Sequence, residues 1–420
     1  MFIRNFDRLA STPQRKIILE LIEEALSSIQ SENVINNSIK IDGNILTIKD
    51  RAFDLKEFDR VFLIGFGKGS ARNSKFIEEK LGNYLTDGFV IDTNSEDFQK
   101  IKFTQGTHPL PSQVNLDFVN NVLQKINNLT EKDLVIVVIT GGGSALFETP
   151  YRASLEKLIE VGRALLKSGA DISEMNTVRK HLSKVKGGSL SKHLFPATVV
   201  GVVASDVPGN DLSVISSGPT VKDPTTTDDA EEILNKYGIE IPNEYLTETP
   251  KEDKYFEKVS NILILSNLTA LEAMKKKAQE LGVAVSIYSD KFQMEARKAG
   301  ETLIKNTEKG AILLAGGETT VKVTGGGEGG RNQEVVLGAL SFIDGKTIIC
   351  SFASDGWDNS SFAGAIGDIH TINKAREMNL EPSEFLNSNN SLGFFEKVGD
   401  GIETGRLPSN VSDLIIILKS

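Results

Sequence analysis

One pattern recurs along the 420-residue chain: a short apolar run, rich in β-branched residues, that breaks off into glycine or aspartate. Segments with helical spacing of apolar residues separate these runs. Alternating strands and helices are typical of βαβ units with a largely parallel sheet. Because the runs are apolar throughout, both faces of that sheet should be covered. The clearest runs are RVFLIGFGKGSA, LVIVVITGGGSALF, TVVGVVASDVPG, AILLAGGE and TIICSFASDG.

The helices are predicted from apolar periodicity and from their end signals. The first should begin with Thr12 as its cap and Pro13 in its first turn, followed by apolar residues at helical spacing. Similar periodicity predicts further helices over residues 154–168, 269–281 and 291–308.

The domain boundary is placed in residues 238–259, a charged stretch with Pro242 and Pro250 and no clear period. A chain of this length should form two to three domains of about 150 residues each. We therefore expect an N-terminal α/β domain over residues 1–240 and a smaller α/β domain over residues 255–420.

Charge and composition exclude several classes of protein. The net charge is −10, whereas a nucleic-acid-binding protein normally carries a basic surplus. The single cysteine, Cys350, rules out a disulfide framework within the chain. The N-terminus shows no apolar signal core, and the apolar runs are too short to span a bilayer. We expect a cytoplasmic protein that binds neither nucleic acid nor a membrane.

The loop GFGKGSA at 65–71 follows a predicted strand and contains Lys68. Such loops expose backbone N–H groups that suit phosphate. The loop nearly matches the dinucleotide fingerprint, but Ser70 replaces the third glycine, and Asp92 lies where a ribose-binding acid would fall. A kinase-type phosphate loop, a dehydrogenase loop and a plain tight turn all remain open here.

Two further segments carry polar residues in positions that suit a site. The turn TGGGSALFETP at 140–150 contains Ser144 but lacks the spacing of a nucleophile elbow, which disfavours a serine hydrolase. The segment MNTVRKHLSKVKGG at 175–188 reads as one amphipathic helix with four basic residues. That helix could attract an anionic substrate or could simply be a solvated face.

Aspartates follow two of the predicted strands. Asp206 ends one of them, and Asp355 and Asp358 follow another. Carboxylates in such positions can hold Mg²⁺ or accept a hydroxyl proton, although single strand-end aspartates are more often caps. The four histidines show no metal-ligand spacing, so a zinc site is disfavoured.

The densest cluster of glycines is TGGGEGGRNQE at 324–334, and such a loop would let the backbone approach a ligand closely. The preceding AILLAGGETTVKVTG predicts a strand, a turn with Glu318 and a second strand. Arg331 should then lie in the first turn of a helix, beside free backbone N–H groups. A guanidinium in that position favours stabilisation of a phosphoryl group during transfer.

Taken together, these motifs resemble those of the class II glycerate kinases, the family with a MOFRL-type C-terminal domain. The resemblance runs in order from about Pro13 to NVSDLIIIL at 410–418, and it includes HPLPSQVN, SDVPGN and SSGPTVKDPTT. It implies a Rossmann-like N-terminal domain, a smaller C-terminal α/β domain and an active site in the cleft between them. It also implies phosphorylation of D-glycerate with ATP and Mg²⁺. Either the 2- or the 3-hydroxyl could receive the phosphate, and the resemblance favours 2-phosphoglycerate.

The resemblance also implies functional residues. Lys68, Arg331, Asp206 and Asp355 take the catalytic positions, and the two aspartates are the candidate metal ligands. The chain departs from the family pattern at Asn210 and in DGWDNSSFAGA, which puts the detailed metal and nucleotide contacts in question. The expected substrate- or nucleotide-binding residues are Gly67, Gly141, Gly142, Gly143, Ser144, Asn176, Arg179, Lys180, Ser217, Gly218, Glu318 and Asn332.

Two other functions remain open at this point. The near-fingerprint and Asp92 favour a nicotinamide-dependent hydroxypyruvate reductase. A non-enzymatic nucleotide- or sugar-acid-binding protein would show binding without turnover. The sequence leaves the oligomeric state open, a homodimer included.

Overall fold

The computed structural model describes residues 1–420, which form two structural units. One unit comprises Val34–Ile264, and we call it the central unit. The other combines Met1–Asn33 with Leu265–Ser420, and we call it the terminal unit. The predicted boundary near residues 238–259 lies close to this division. The structure differs from the predicted range 1–240 in grouping the first 33 residues with the C-terminal part of the chain.

The strands are listed here in chain order. They are β1 (Ile39–Asp42), β2 (Ile45–Ile48), β3 (Arg51–Asp54), β4 (Arg60–Phe66), β5 (Leu85–Asp92), β6 (Ile101–Gln105), β7 (Asp133–Ile139), β8 (Thr198–Ala204), β9 (Val259–Leu265), β10 (Ala284–Phe292), β11 (Ala311–Gly317), β12 (Thr347–Ala353), β13 (Gly364–Gly367), β14 (Gly401–Ile402) and β15 (Asp413–Lys419).

The α-helices connect and cover these strands. They are α1 (Phe6–Leu9), α2 (Pro13–Ser28), α3 (Ser31–Ser38), α4 (Ser70–Leu81), α5 (Gln113–Lys125), α6 (Gly143–Leu146), α7 (Leu155–Ser168), α8 (Ile172–Leu182), α9 (Ser189–Leu194), α10 (Thr227–Lys236), α11 (Asn267–Glu280), α12 (Ala296–Asn306), α13 (Arg331–Ala339), α14 (Ile369–Glu377), α15 (Pro382–Asn387) and α16 (Ser391–Val398). Short 3₁₀ helices span Leu55–Glu57, Gly82–Tyr84, Ile215–Ser217, Asn243–Tyr245, Asp253–Tyr255 and Leu340–Phe342.

The central unit is built on a sheet of order β6-β5-β4-β7-β8-β9. The pairs β6–β5, β5–β4, β4–β7 and β7–β8 are all parallel. Every residue of β7 is buried, which confirms that this sheet is covered on both faces. Because β4, β7 and β8 are neighbours, the loops after their carboxyl ends meet at one edge of the sheet, where ligands bind in open α/β folds.

The terminal unit contains a mixed sheet of order β10-β11-β15-β12-β13-β14. Only β10 and β11 pair in parallel, and β15 runs antiparallel between β11 and β12. Its first residue, Asp413, pairs with Gly317 and with Ala353, the last residues of those two strands. The start of the last strand therefore lies at the sheet edge where β11 and β12 end.

Helix α2 belongs to the terminal unit because it packs against α11 and carries a buried arginine. Arg15, only 1% exposed, donates from Nε to Asp368 at 2.7 Å and from Nη1 to Asp400 at 2.9 Å. Burial alone would raise the pKa of both carboxyls, but the hydrogen bonds and charge of Arg15 hold them below their usual range. These ion pairs tie the N-terminal helix to residues far along the chain.

The predicted α/β architecture is confirmed, with the expected strands at β4, β7, β8, β11 and β12. The helix predicted to follow Thr12 is α2, and it begins as predicted, with the Thr12 hydroxyl accepting from the backbone N–H of Arg15. A short helix that was not predicted, α1, precedes it. The predicted second strand after Glu318 is wrong, since residues 321–330 form no strand. None of the helices combines the length and apolar composition required to cross a membrane.

Candidate active site

In the central unit, backbone hydrogen bonds join the loop after β4 to the loop after β7. The backbone N–H of Lys68 donates to Gly141 O at 2.7 Å, and that of Thr140 donates to Phe66 O at 3.1 Å. Gly67 has a φ of +108°, and a Cβ there would come 2.2 Å from Thr140 Oγ1. Only glycine permits this close approach, which presents the exposed Lys68 side chain beside the glycine turn.

Gly142 lies between two polar side chains, at a φ of +80°. A Cβ on this residue would lie 3.0 Å from His108 Nε2 and 3.4 Å from Lys68 Cε. Partial burial and the charge of Lys68 lower the pKa of His108, although Asp206 acts in the opposite direction. The turn therefore brings together a lysine and a histidine whose ring is held neutral. The histidine was not among the predicted site residues.

Asp206 approaches the same turn from the loop after β8. A Cβ on Gly141 would lie 2.2 Å from Asp206 Oδ2, so the carboxylate rests directly on the glycine backbone. The predicted residues Lys68, Gly141, Gly142 and Asp206 thus converge at the carboxyl edge of the parallel sheet.

A chain of hydroxyl and amide groups continues from the turn. Ser144 Oγ lies 3.1 Å from Ser217 Oγ, which donates to Asn176 Oδ1 at 3.0 Å. The Nδ2 group of Asn176 is buried and has no hydrogen-bond partner. A buried donor of this kind is costly unless something accepts from it, so it points to an acceptor on a ligand.

The backbone at Ser217 is also unusual. Ser216, Ser217 and Gly218 all have left-handed φ values of +51°, +61° and +60°. Ser216 Oγ donates to Thr140 O at 3.1 Å, and Gly143 lacks a side chain because a Cβ would come 2.2 Å from that hydroxyl. Non-glycine residues in this conformation are strained, and such strain is concentrated at functional sites.

The helix predicted over residues 175–188 is confirmed only as far as Leu182. Helix α8 ends at Leu182, and Ser183 is extended, so the later lysines lie off the helix. Lys180 is 6% exposed and donates to Asp223 Oδ1 at 3.0 Å, and the buried Lys186 pairs with Glu148. The periodicity predicted a helix through this segment, but polar partners inside the unit hold these lysines instead.

Arg179 is the exception among these basic residues. Its guanidinium is partly buried, and burial lowers its pKa without an opposing carboxylate. It lines a cavity of about 380 Å³ together with His108, Gly142 and Ser144. A partly desolvated cation without an acidic partner is suited to an anionic ligand.

In the terminal unit, Arg331 begins α13 as predicted, but acidic side chains hold it. Its Nε donates to Asp413 Oδ2 at 2.5 Å, and its Nη2 donates to Glu318 Oε1 at 2.8 Å. Burial works against the charged form, but Asp413 and Glu318 raise the pKa of Arg331 above its usual value. Burial raises the pKa of Asp413 to about 7, although the positive charge of Arg331 acts to lower it.

The free N–H groups predicted beside Arg331 are not found at the start of α13. The backbone N–H groups of Asn332 and Gln333 donate to the Asp358 carboxylate at 3.0 and 2.8 Å. The Asn332 side chain bridges Asp358 and Asp413. Asp358 therefore caps this helix, and burial raises its pKa.

Internal packing explains most glycines of the 325–330 loop. A Cβ on Gly325 would come 2.3 Å from Ser388 O, and one on Gly327 would come 2.4 Å from Asn390 Cβ. At Gly329, with a φ of +146°, a Cβ would lie 2.1 Å from Ser391 Oγ. The loop lies against the segment before α16, whereas the sequence had suggested close approach to a ligand.

This loop nevertheless lines a cavity of about 680 Å³ within the terminal unit. Arg331, Asp358 and Asp413 border it, as does the 40% exposed Trp357. Asp355 does not line it and accepts from the Trp357 N–H at 3.0 Å. No group of three or more His, Cys, Asp or Glu side chains in the structure is arranged to hold a metal ion.

Sequence reasoning missed Asp413 as a site residue, and Asp358 was noted only as a strand-end aspartate. Asp413 opens an apolar run, NVSDLIIIL, and only the position of β15 between β11 and β12 brings it to Arg331. A polar residue at the start of a strand carries no signal unless the strand order is known.

Comparison with known proteins identifies the family. Residues 17–248 match the family described as a domain of unknown function, DUF4147, and residues 311–413 match the MOFRL family. The chain is 36% identical to a glycerate 2-kinase from Pyrococcus horikoshii, over 96% of this chain and 97% of that protein. It is 34% identical, over 86% and 87%, to an Agrobacterium vitis protein whose name assigns hydroxypyruvate reductase activity only provisionally.

A solved structure agrees with these matches. The crystal structure of a glycerate kinase from Thermotoga maritima superposes with a TM-score of 0.87 at 36% identity, covering 96% of this chain and 99% of that one. Sequence and fold match over nearly the full length of both chains. The chain therefore belongs to the family of glycerate kinases that combines DUF4147 and MOFRL domains.

Proposed function

We propose that the protein transfers the γ-phosphoryl group of ATP to the 2-hydroxyl of D-glycerate, giving ADP and 2-phosphoglycerate. The observation that carries this proposal is the convergence of Lys68, His108 and Asp206 on one glycine turn at the carboxyl edge of a parallel sheet. The relatives named glycerate 2-kinase support the same reaction.

In this proposal Lys68 places positive charge beside the transferring phosphoryl group. Phosphoryl transfer depends mainly on positioning and charge neutralisation, so an exposed ammonium beside the glycine turn suits the task. Because its pKa is lowered, His108 stays neutral and can accept a hydrogen bond from the substrate hydroxyl. Arg331 supplies a second positive charge in the terminal unit, held in orientation by Asp413 and Glu318.

The acceptor would bind where donors and hydroxyl groups meet. Ser144, Ser217 and the unpartnered amide of Asn176 form a polar cluster that suits the oxygens of a small hydroxy acid. Arg179 offers charge to an anionic group of one of the two substrates. Lys180 is not part of this proposal, because its ammonium is engaged by Asp223.

Mg²⁺ fits the donor set at the turn. It is usually bound through one or two carboxylates together with substrate phosphates, and Asp206 provides a half-buried carboxylate there. When bound, the ion would neutralise charge on the phosphate oxygens. Asp355 belongs to the terminal unit, and a metal-binding role for it stays a separate proposal.

The rival reductase is disfavoured by the position of Asp92. Its carboxylate is 1% exposed and accepts from the N–H of Ala71 at 3.0 Å, in the first turn of α4. A dinucleotide would place its pyrophosphate at that helix N-terminus. The buried Asp92 carboxylate already accepts from that helix N-terminus, so the loop at 65–71, which nearly matches the dinucleotide fingerprint, is a capped turn in this chain.

Steady-state assays test the proposal directly. The purified protein with ATP, Mg²⁺ and D-glycerate should release ADP, and EDTA should abolish this release until Mg²⁺ is restored. NADH oxidation with hydroxypyruvate is the matched control for the rival function. Absence of ADP release together with NADH oxidation would replace the kinase by the reductase.

A further inference from the structure

The cavity beside the glycine turn of the central unit has a mainly apolar wall, which binding of the acceptor D-glycerate does not explain. Its volume is about 380 Å³, and it shares Gly142, Ser144 and His108 with the turn. Most of its wall is apolar and comes from α7, from α8 and from the loop after His108. These apolar residues are Pro109, Leu110, Pro111, Leu158, Ile159, Val161, Leu165, Leu166, Val178 and Leu182.

Gly162 lies on α7 in the wall of this cavity, and the protein itself does not require a glycine there. A Cβ on Gly162 would meet no atom within 4 Å. Other helix glycines have a steric reason: a Cβ would lie 2.5 Å from Ala339 Cβ at Gly300 and 2.7 Å from Arg297 O at Gly338. Glycine is a poor helix former, so its presence at 162 suggests that the open space is needed for a ligand.

The two proposed substrates differ in how much apolar surface they could bury against this wall. D-Glycerate is a three-carbon hydroxy acid with no apolar surface to bury. The base of a nucleotide is planar and largely apolar on its faces, which suits a cavity lined by aliphatic side chains. Arg179, which also lines the cavity, and Lys68 beside Gly142 are cations that suit the phosphates of the same ligand.

We propose that this cavity takes the heteroaromatic base of the nucleotide and that Gly162 leaves the wall flat enough for the ring. The inference rests on the proposed function, since it identifies where the phosphoryl donor binds. The phosphates would then extend from the cavity towards the turn at Gly142. The hydroxyl and amide groups of Ser144, Ser217 and Asn176 remain for the acceptor.

The substitution Gly162→Leu tests this placement, because Gly162 lines the cavity and a Cβ there meets no atom within 4 Å, so the larger side chain has room to enter the cavity. KM for ATP should rise at least about tenfold, equivalent to about 1.4 kcal/mol, while KM for D-glycerate and kcat stay within about twofold. The inhibition constant of inorganic tripolyphosphate, which has no base, should be unchanged. Lys167→Leu, on the same helix but outside the cavity wall, is the matched control.

Gly162→Ala separates folding from binding, since it adds one methyl group and should preserve or raise thermal stability. Unchanged KM for ATP in Gly162→Leu would overturn the inference, as would a rise confined to D-glycerate. Wild-type protein without turnover would instead contradict the proposed function. Calorimetric titration with ADP would then test whether the base binds in the cavity. Binding lost in Gly162→Leu supports the inference, whereas retained binding or no wild-type binding overturns it.

Discussion

Substituting Lys68 with alanine should reduce turnover without changing the stability of the fold. The backbone N–H of Lys68 is hydrogen-bonded to Gly141, whereas its side chain is exposed. Substitutions of exposed side chains usually change the free energy of unfolding by no more than about 0.5 kcal/mol. Lys68→Ala should therefore fold like the wild type, and its loss of turnover should report on the reaction alone.

The expected loss follows from the position of the ammonium. Two unit charges about 4 Å apart interact by about 4 kcal/mol at an effective dielectric constant of about 20. Removing one charge-stabilising donor from an enclosed site costs about 2.7–4 kcal/mol, or about 10²–10³ in kcat. Because Lys68 is exposed in the central unit, we expect the lower end of this range, a loss of about 10² in kcat.

The assay is steady-state ADP release at saturating ATP and D-glycerate, with circular dichroism as the check on folding. Lys132→Ala is the matched control, since Lys132 is also exposed but precedes β7 at the opposite end of the same sheet. A folded Lys68→Ala variant with kcat within about threefold of the wild type would refute the proposed role of this charge.

Further predictions concern four other basic residues, Arg15, Arg331, Arg179 and Lys180, and Asp413, the partner of Arg331. Arg15→Ala should lower the free energy of unfolding by about 3–5 kcal/mol in urea titrations, because two buried carboxylates lose their partner; a loss below about 1 kcal/mol would contradict this. Arg331→Lys should recover little of the turnover lost in Arg331→Ala, since a point charge cannot reproduce the planar fork. The Asp413 anion that holds Arg331 is lost as the pH falls through its pKa of about 7, so kcat should decline on the acid side. Asp413→Asn should remove that decline, and an unchanged pH profile would argue against the coupling. Arg179→Ala should raise KM for one substrate at least about tenfold with a stable fold. Lys180→Ala should instead lower thermal stability, because it leaves a carboxylate buried without its partner.

The strands and helices were predictable because local patterns determine them. Each expected strand is an apolar run that can be buried on both faces of a sheet, and α2 carries its own cap in Thr12. That the loops after β4, β7 and β8 lie together follows from the parallel sheet, since the carboxyl ends of neighbouring parallel strands lie at one edge.

The polar partnerships could not be predicted, because they join residues that are distant in sequence. Lys180 looked like a substrate-binding cation until the fold paired it with Asp223, and Arg331 looked unpaired until β15 brought Asp413 beside it. The glycines at 325–330 suggested a ligand because their packing partners lie about 60 residues further along the chain. Periodicity alone also predicted that α8 continues beyond Leu182. The backbone instead becomes extended at Ser183, and Ser183 and Lys186 both contact Glu148.

The product of the reaction tests the central claim most directly. The wild-type protein is incubated with ATP, Mg²⁺ and D-glycerate, and phosphorus NMR identifies the product against standards of 2- and 3-phosphoglycerate. We predict stoichiometric ADP and 2-phosphoglycerate, with no phosphorylated product from the Lys68→Ala variant on the same timescale. A product phosphorylated at the 3-hydroxyl would contradict the proposed regiochemistry, and ATP consumed without a phosphorylated glycerate would contradict the kinase itself.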